Sequence, residues 1–168
     1  MVEVNRRALL IGAPLAVFGG HAWATPAPAP RDIGHIQVLK EKRVLELISR
    51  NRKILKTYAI QLGGQPIGHK RFMGDKRTPE GIYRIDRRNR QSFFYRSLGI
   101  SYPNAEDRRF AARHGKSPGG EIFIHGQHPK SEQTVLWDWT RGCIALDNHD
   151  MRELFGLISI GTKIAIYP

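Results

Sequence analysis

Cys143 is the single cysteine in 168 residues. A lone thiol is a small buried hydrophobe, a dimerising group or a nucleophile, and by itself Cys143 leaves all three open. Its neighbour Gly142 leaves space for a substrate beside the sulfur and lets the backbone approach closely. The N–H groups of Gly142 and Cys143, at a tight strand-to-turn segment, are of the kind that an oxyanion requires in acyl transfer. A free thiol ionises near pH ~8.5, so a nucleophilic cysteine needs a basic partner, and the expectation is a thiol titrating below a free one. Of seven histidines, His125 is the best placed. It ends the apolar run Glu-Ile-Phe-Ile-His over 121–125, is followed by Gly126, and a strand end projects into a cleft. His35, His69 and His114 read as surface histidines. A zinc site built from His125, His128, His149 and Cys143 matches no standard ligand spacing, and the chain has no His-Glu-x-x-His.

The elements that must position this pair are mostly short strands. Ile36 and Val38 alternate with polar residues; 44–48 is apolar and leads into the turn Arg50-Asn51-Arg52; 54–62 returns with β-branched and aromatic residues. The stretches 81–86 and 92–100 read as further strands separated by charged turns, 121–125 as a compact strand and 162–167 as the last. The segment 105–114 predicts a short helix. Asp147 or Asn148 can cap a second one carrying Met151, Leu154, Phe155 and Ile158 on one face. The fold class is therefore α+β, dominated by β structure, with two short helices.

The length fits one domain of ordinary size. Hydrophobic residues make up 40% of the chain, which excludes a disordered or polytopic membrane protein. One cysteine excludes a disulfide framework or a multi-cysteine metal cluster. Residues 1–24 read as an export signal: Arg6 and Arg7, an apolar run over 8–20, then Ala22-Trp23-Ala24 as a cleavage pattern. The paired arginines also suit a twin-arginine route. Residues 25–32 read as a Pro/Ala-rich linker and 33–168 as the functional domain. Lys and Arg number 27 against 15 Asp and Glu, a formal net charge of +12. In an exported protein, located in the periplasm or cell envelope, that excess meets membrane headgroups and anionic wall polymers rather than nucleic acid.

At the histidine–cysteine pair the sequence resembles a known family. His125, fourteen intervening residues and then Thr140-Arg141-Gly142-Cys143-Ile144 are similar to the signature of the L,D-transpeptidase (YkuD-type) catalytic domain. The stretches 74–83, 98–103 and 161–166 resemble it too. The resemblance implies a mixed β-sheet sandwich or barrel, with Cys143 as nucleophile, His125 as its base and the Gly126 carbonyl orienting the imidazole. Gly142 and Cys143 would supply the oxyanion donors, and no metal or organic cofactor is called for. It also implies a substrate, the tetrapeptide stem of peptidoglycan, attacked at its third residue. An amine of a second stem or of a wall-anchored lipoprotein would resolve the thioester. Thr78, Tyr102 and Trp139 are expected to line the cleft. Arg141 stands where the family commonly has histidine, so it is expected to contact substrate or hold charge near the sulfur. Ala145 stands where a polar residue is common. Some members of such a divergent branch hydrolyse a stem or lipoprotein linkage instead, and a catalytically silent wall-binding protein is the non-enzymatic alternative.

Overall fold

The computed structural model describes residues 28–127 and 137–168. The expected signal segment, 25–27 of the linker and His128 lie outside them. A 3-10 turn, Pro30–Asp32, leads into β1 (Ile33–Leu39), β2 (Val44–Ser49) and β3 (Ile54–Ala59). The long strand β4 (Gly81–Ser92) and β5 (Tyr95–Ile100) follow, then helix α1 (Ala105–Arg113), β6 (Phe123–His125), β7 (Ile144–Ala145), helix α2 (Asn148–Leu157) and β8 (Lys163–Tyr167). The eight strands form one mixed sheet in the order β3-β2-β1-β8-β4-β5-β6-β7. Among the described strands, only β1–β8 and β6–β7 pair in parallel.

Alternation fixes the register. Ile36 and Val38 of β1 face Leu47 and Leu45 across one edge and Ile164 and Ile166 across the other. All six are buried, and a slip by one residue would turn each set to solvent. The core continues through Ile85, Leu98, Ile100, Ile124 and Ile144 to Met151, Leu154 and Phe155 of α2.

One expectation is corrected. The charged stretch Arg87-Arg88-Asn89-Arg90 is not a turn but the middle of β4, with Arg87, Arg88 and Asn89 opposite Gly99, Leu98 and Ser97 of β5. Charge suggested a loop, yet β4 holds these side chains exposed while the backbone stays paired. The turn comes later, at Phe93 and Phe94. The first part of β4 pairs with β8 and the rest with β5, so this one strand joins the two halves of the sheet.

Both helices begin on side-chain caps. Asn104 Oδ1 accepts from the N–H groups of Glu106 and Asp107, and Asp107 returns the bond to the Asn104 N–H, a reciprocal capping box. Asp147 accepts from the Asp150 N–H at 2.7 Å.

Candidate active site

His125 is the last residue of β6, and Cys143 immediately precedes β7. Because β6 and β7 run in parallel, with Ile124 opposite Ile144 and His125 opposite Ala145, Cys143 stands level with Phe123, and period-two alternation puts its side chain on the same face as those of Phe123 and His125. Both line a cavity of about 570 Å³, together with Phe94, Ser97, Phe123 and Trp139.

The imidazole is held on every side. Its Nδ1 lies 2.7 Å from the Gly126 carbonyl oxygen. A carbonyl only accepts, so Nδ1 carries the proton and Nε2 presents a lone pair. Phe94 stacks on the ring at 4.7 Å between centroids, and Trp139 meets it edge-on at 5.7 Å. Gly126 is fixed in turn: its N–H donates to the carbonyls of Phe94 and Arg96, and a Cβ there would sit 2.4 Å from Asn148 Oδ1.

The cysteine turn is tied to the segment after β3. Ala145 and Gln61 exchange both backbone bonds, the Thr140 N–H donates to Leu62 O, and the Gly64 N–H donates to Thr140 O. Asp138 accepts from the Leu62 N–H and from the Arg43 guanidinium. Within the turn, Thr140 Oγ1 accepts from the Gly142 N–H at 3.1 Å and donates to Cys143 O at 2.7 Å. Gly142 has φ +129°, and a Cβ there would lie 2.6 Å from the Arg77 carbonyl oxygen. Glycine is required at that point for both reasons.

Electrostatics correct the expectation of a thiol poised as thiolate. Burial raises the Cys143 pKa above the ordinary thiol range; the Phe123 backbone N–H and the charge of Lys70 pull the other way, and Glu121 adds to the rise. The S–H donates to Glu121 O at 3.5 Å. Burial also lowers the His125 pKa, with the Gly126 bond opposing. Each group loses hydration of its charged form, so burial favours the neutral thiol and the neutral imidazole in this cavity.

Other expected site residues divide. Trp139 lines the cavity with His125 and Cys143, as does Arg141, which is exposed. Lys70 is a cation whose charge lowers the Cys143 pKa. Gly142 does not offer a free oxyanion donor, because its N–H is engaged by Thr140. Thr78 and Tyr102 do not line the cleft. Thr78 is fully buried and accepts from the Gly63 N–H. The Tyr102 hydroxyl donates to Pro118 O, and its ring packs against Tyr83 and His69. His69 is not a surface group either: its Nδ1 accepts from the Glu80 N–H, and its Nε2 is 2.9 Å from Asp107. Ala145 is buried in the sheet, opposite His125. Among the described residues, the His/Cys/Asp/Glu side chains that converge as a metal could require are Asp147, His149 and Asp150 at the start of α2; His125 and Cys143 are not among them.

Sequence reasoning missed Phe94, Phe123, Ser97, Lys70 and Glu121 at the site. Lys70 and Asp75 stand five residues apart around a glycine turn, a local signal of a fixed ion pair, and Glu121 and Phe123 precede His125 in its own short segment; Ser97 reaches the site by strand pairing and Phe94 through the Gly126 backbone bond.

Comparison with known proteins gives the family. Residues 33–166 match the L,D-transpeptidase catalytic domain. YafK of Escherichia coli (strain K12), named for the same family, is 30% identical over 146 residues, covering 80% of this chain and 53% of YafK. The chain thus spans about half the length of this relative. A variant of Pgp2, the helical cell shape determining protein of Campylobacter jejuni, superposes with a TM-score of 0.63 at 25% identity, over 80% of this chain and 46% of Pgp2. Bd1075 of Bdellovibrio bacteriovorus superposes at 0.59 with 28% identity, over 85% and 53% of the two chains. With a mixed eight-stranded sheet, a histidine and cysteine brought to one cavity, and a match over nearly the whole described domain, the chain belongs to the L,D-transpeptidase catalytic-domain family.

Proposed function

We propose that this protein is a cysteine acyltransferase that acts on peptidoglycan stem tetrapeptides. The observation that carries the reading is a buried imidazole, with its tautomer set by Gly126, in the same cavity as the sole thiol of the chain. Its Nε2 takes the Cys143 proton as the sulfur attacks the carbonyl of the third stem residue. The tetrahedral oxyanion is met by the Cys143 N–H, since that of Gly142 is already engaged. The C–N bond then breaks, the terminal D-alanine leaves with the proton from the imidazolium, and a thioester remains. An amine of a second stem, or of a wall-anchored lipoprotein, attacks the thioester and gives its proton to His125; the thiol is then restored. Because the resting pair is neutral, proton transfer accompanies attack and no stored thiolate is needed. The family supplies the substrate class. The export pattern over 1–24 would bring the protein to the cell envelope, and among the described residues no helix is long and apolar enough to cross a membrane.

The test is mass spectrometry of purified wall fragments incubated with the protein. Transfer gives cross-linked dimers with loss of D-alanine. Shortened stems or a freed lipoprotein peptide without dimers would assign hydrolysis. Unchanged fragments with folded protein would leave the non-catalytic wall-binding reading. Cys143→Ala and His125→Ala should each abolish turnover, with the double variant little worse, because the two groups act as one unit.

A further inference from the structure

A second cavity, of about 580 Å³, also reaches Cys143. It shares Cys143, Arg141 and Glu121 with the first, but its other charged lining residues are Lys70 and Lys76. Three cations thus face one carboxylate, and that carboxylate is already drawn to Arg87 at 3.2 Å.

Lys70 is the unusual member. Its side chain is 3% exposed, and a buried ammonium is costly unless it is paired and hydrogen-bonded. Its Nζ donates to Phe72 O at 3.0 Å and to Asp75 Oδ1 at 2.8 Å. Asp75 is itself clamped by the N–H groups of Arg71, Phe72 and Arg77. The third Nζ proton has no oxygen or nitrogen acceptor among the described residues; beyond the two bonds, the Nζ has only the distant face of the Tyr102 ring, 6.0 Å from its centroid. The other buried lysine among the described residues is different: Lys40 is saturated by Gly68 O, Thr78 O and Glu80. The fold therefore fixes one incompletely satisfied cation in a cavity that opens on the sulfur.

We propose that Lys70, with Arg141 at the mouth, receives the carboxylate of the residue that leaves, so that the site selects a C-terminal residue. Only one nitrogen and one α-carbon separate the attacked carbonyl from that carboxylate, which holds the two carbons roughly 3–4 Å apart by ordinary bond lengths. Wherever the carbonyl meets the sulfur, the terminal carboxylate must fall close by. An internal peptide bond, with a neutral amide in that place, would leave Lys70 unanswered. The geometry makes Lys70 a specificity residue; it rests on Cys143 being the nucleophile toward a stem tetrapeptide.

Binding to Cys143→Ala protein, measured by calorimetry, separates this subsite from catalysis. The probes are a stem tetrapeptide with a free C-terminal carboxylate and the same peptide as its C-terminal amide. The free acid should bind at least about tenfold more tightly, as expected for a charge-assisted bond. Adding Lys70→Met should erase that preference, and Lys70→Arg should retain it. Because Lys70→Met strands Asp75, the paired variant Lys70→Met/Asp75→Asn is measured beside it, with thermal melts as the control for folding. Equal binding of acid and amide by the Cys143→Ala protein would overturn the subsite while leaving the stem as substrate. A preference that survives loss of the Lys70 charge in folded protein would also overturn it. Binding of neither peptide would remove the stem as substrate and the subsite with it.

Discussion

At the scale of residues, the decisive feature is that Cys143 and His125 are both pushed toward their neutral forms by burial. The alkylation rate of Cys143 with iodoacetamide, followed against pH, should show a midpoint above the ~8.5 of a free thiol. A midpoint below that value would overturn the neutral pair. Arg141→Ala should leave the midpoint where it is and raise KM, because that guanidinium is exposed and water and salt screen its charge. Lys70→Met should raise the midpoint further. The acid limb of turnover follows from the same burial. Neutral His125 is the active form, and its pKa is lowered, so activity should persist below pH 6.5 and fall only as the buried ring takes a proton. Stability follows the same sign. The unfolded chain binds that proton more readily, so the contribution of His125 to stability is complete above its unfolded value and declines as pH drops from about 6.5 toward its folded one. Urea unfolding at several pH values, with His125→Ala as reference, measures that slope.

At the scale of elements, two short parallel strands do the positioning and the Thr140 turn finishes it. Thr140→Val keeps the shape but removes the acceptor for the Gly142 N–H and the donor to Cys143 O. Each lost bond costs on the order of 1 kcal/mol, and turnover should fall more than thermal stability does. Gly142→Ala is harsher, since it meets the Arg77 carbonyl and a backbone angle that L residues rarely adopt. It should destabilise by roughly 1–3 kcal/mol and abolish turnover, as thermal melts and the wall-fragment assay would show. Asn104→Ala, remote from the cavity, should cost about 1 kcal/mol through loss of the α1 cap with turnover intact. That contrast separates the structure of the turn from general stability.

At the scale of the molecule, the exposed arginines Arg84, Arg87, Arg88 and Arg90 run along β4, and the formal net charge is +12. Charge of this kind draws the protein to polyanions through a field that salt screens within about 10 Å at 0.1 M. Retention on anionic wall polymer should therefore fall steeply as salt rises from about 0.05 to 0.5 M. Retention that ignores salt would assign binding to the cleft instead. The same strand joins the two halves of the sheet and contributes Asn89 and Ser92 to the cavity.

Period-two alternation in 33–39 and 163–167, the helix capped by Asp147 and the His125–Cys143 spacing were all legible from residue order. Each depends on neighbours along the chain or on a motif of fixed length. The sequence by itself determined the fold class, the helices at 105–113 and 148–157, and which histidine and cysteine would share one cavity. Charge along β4 misled, because local polarity cannot tell a loop from an exposed paired strand. The cleft lining misled further: Thr78 and Tyr102 turn into the core, while Phe94 and Lys70 reach the site from distant segments. Only the tertiary structure decided which side chains surround the sulfur, and that burial would leave the pair neutral. The reason is physical: hydration and field at a buried atom depend on every element packed around it, and those are assembled by sheet pairing between segments far apart in the chain.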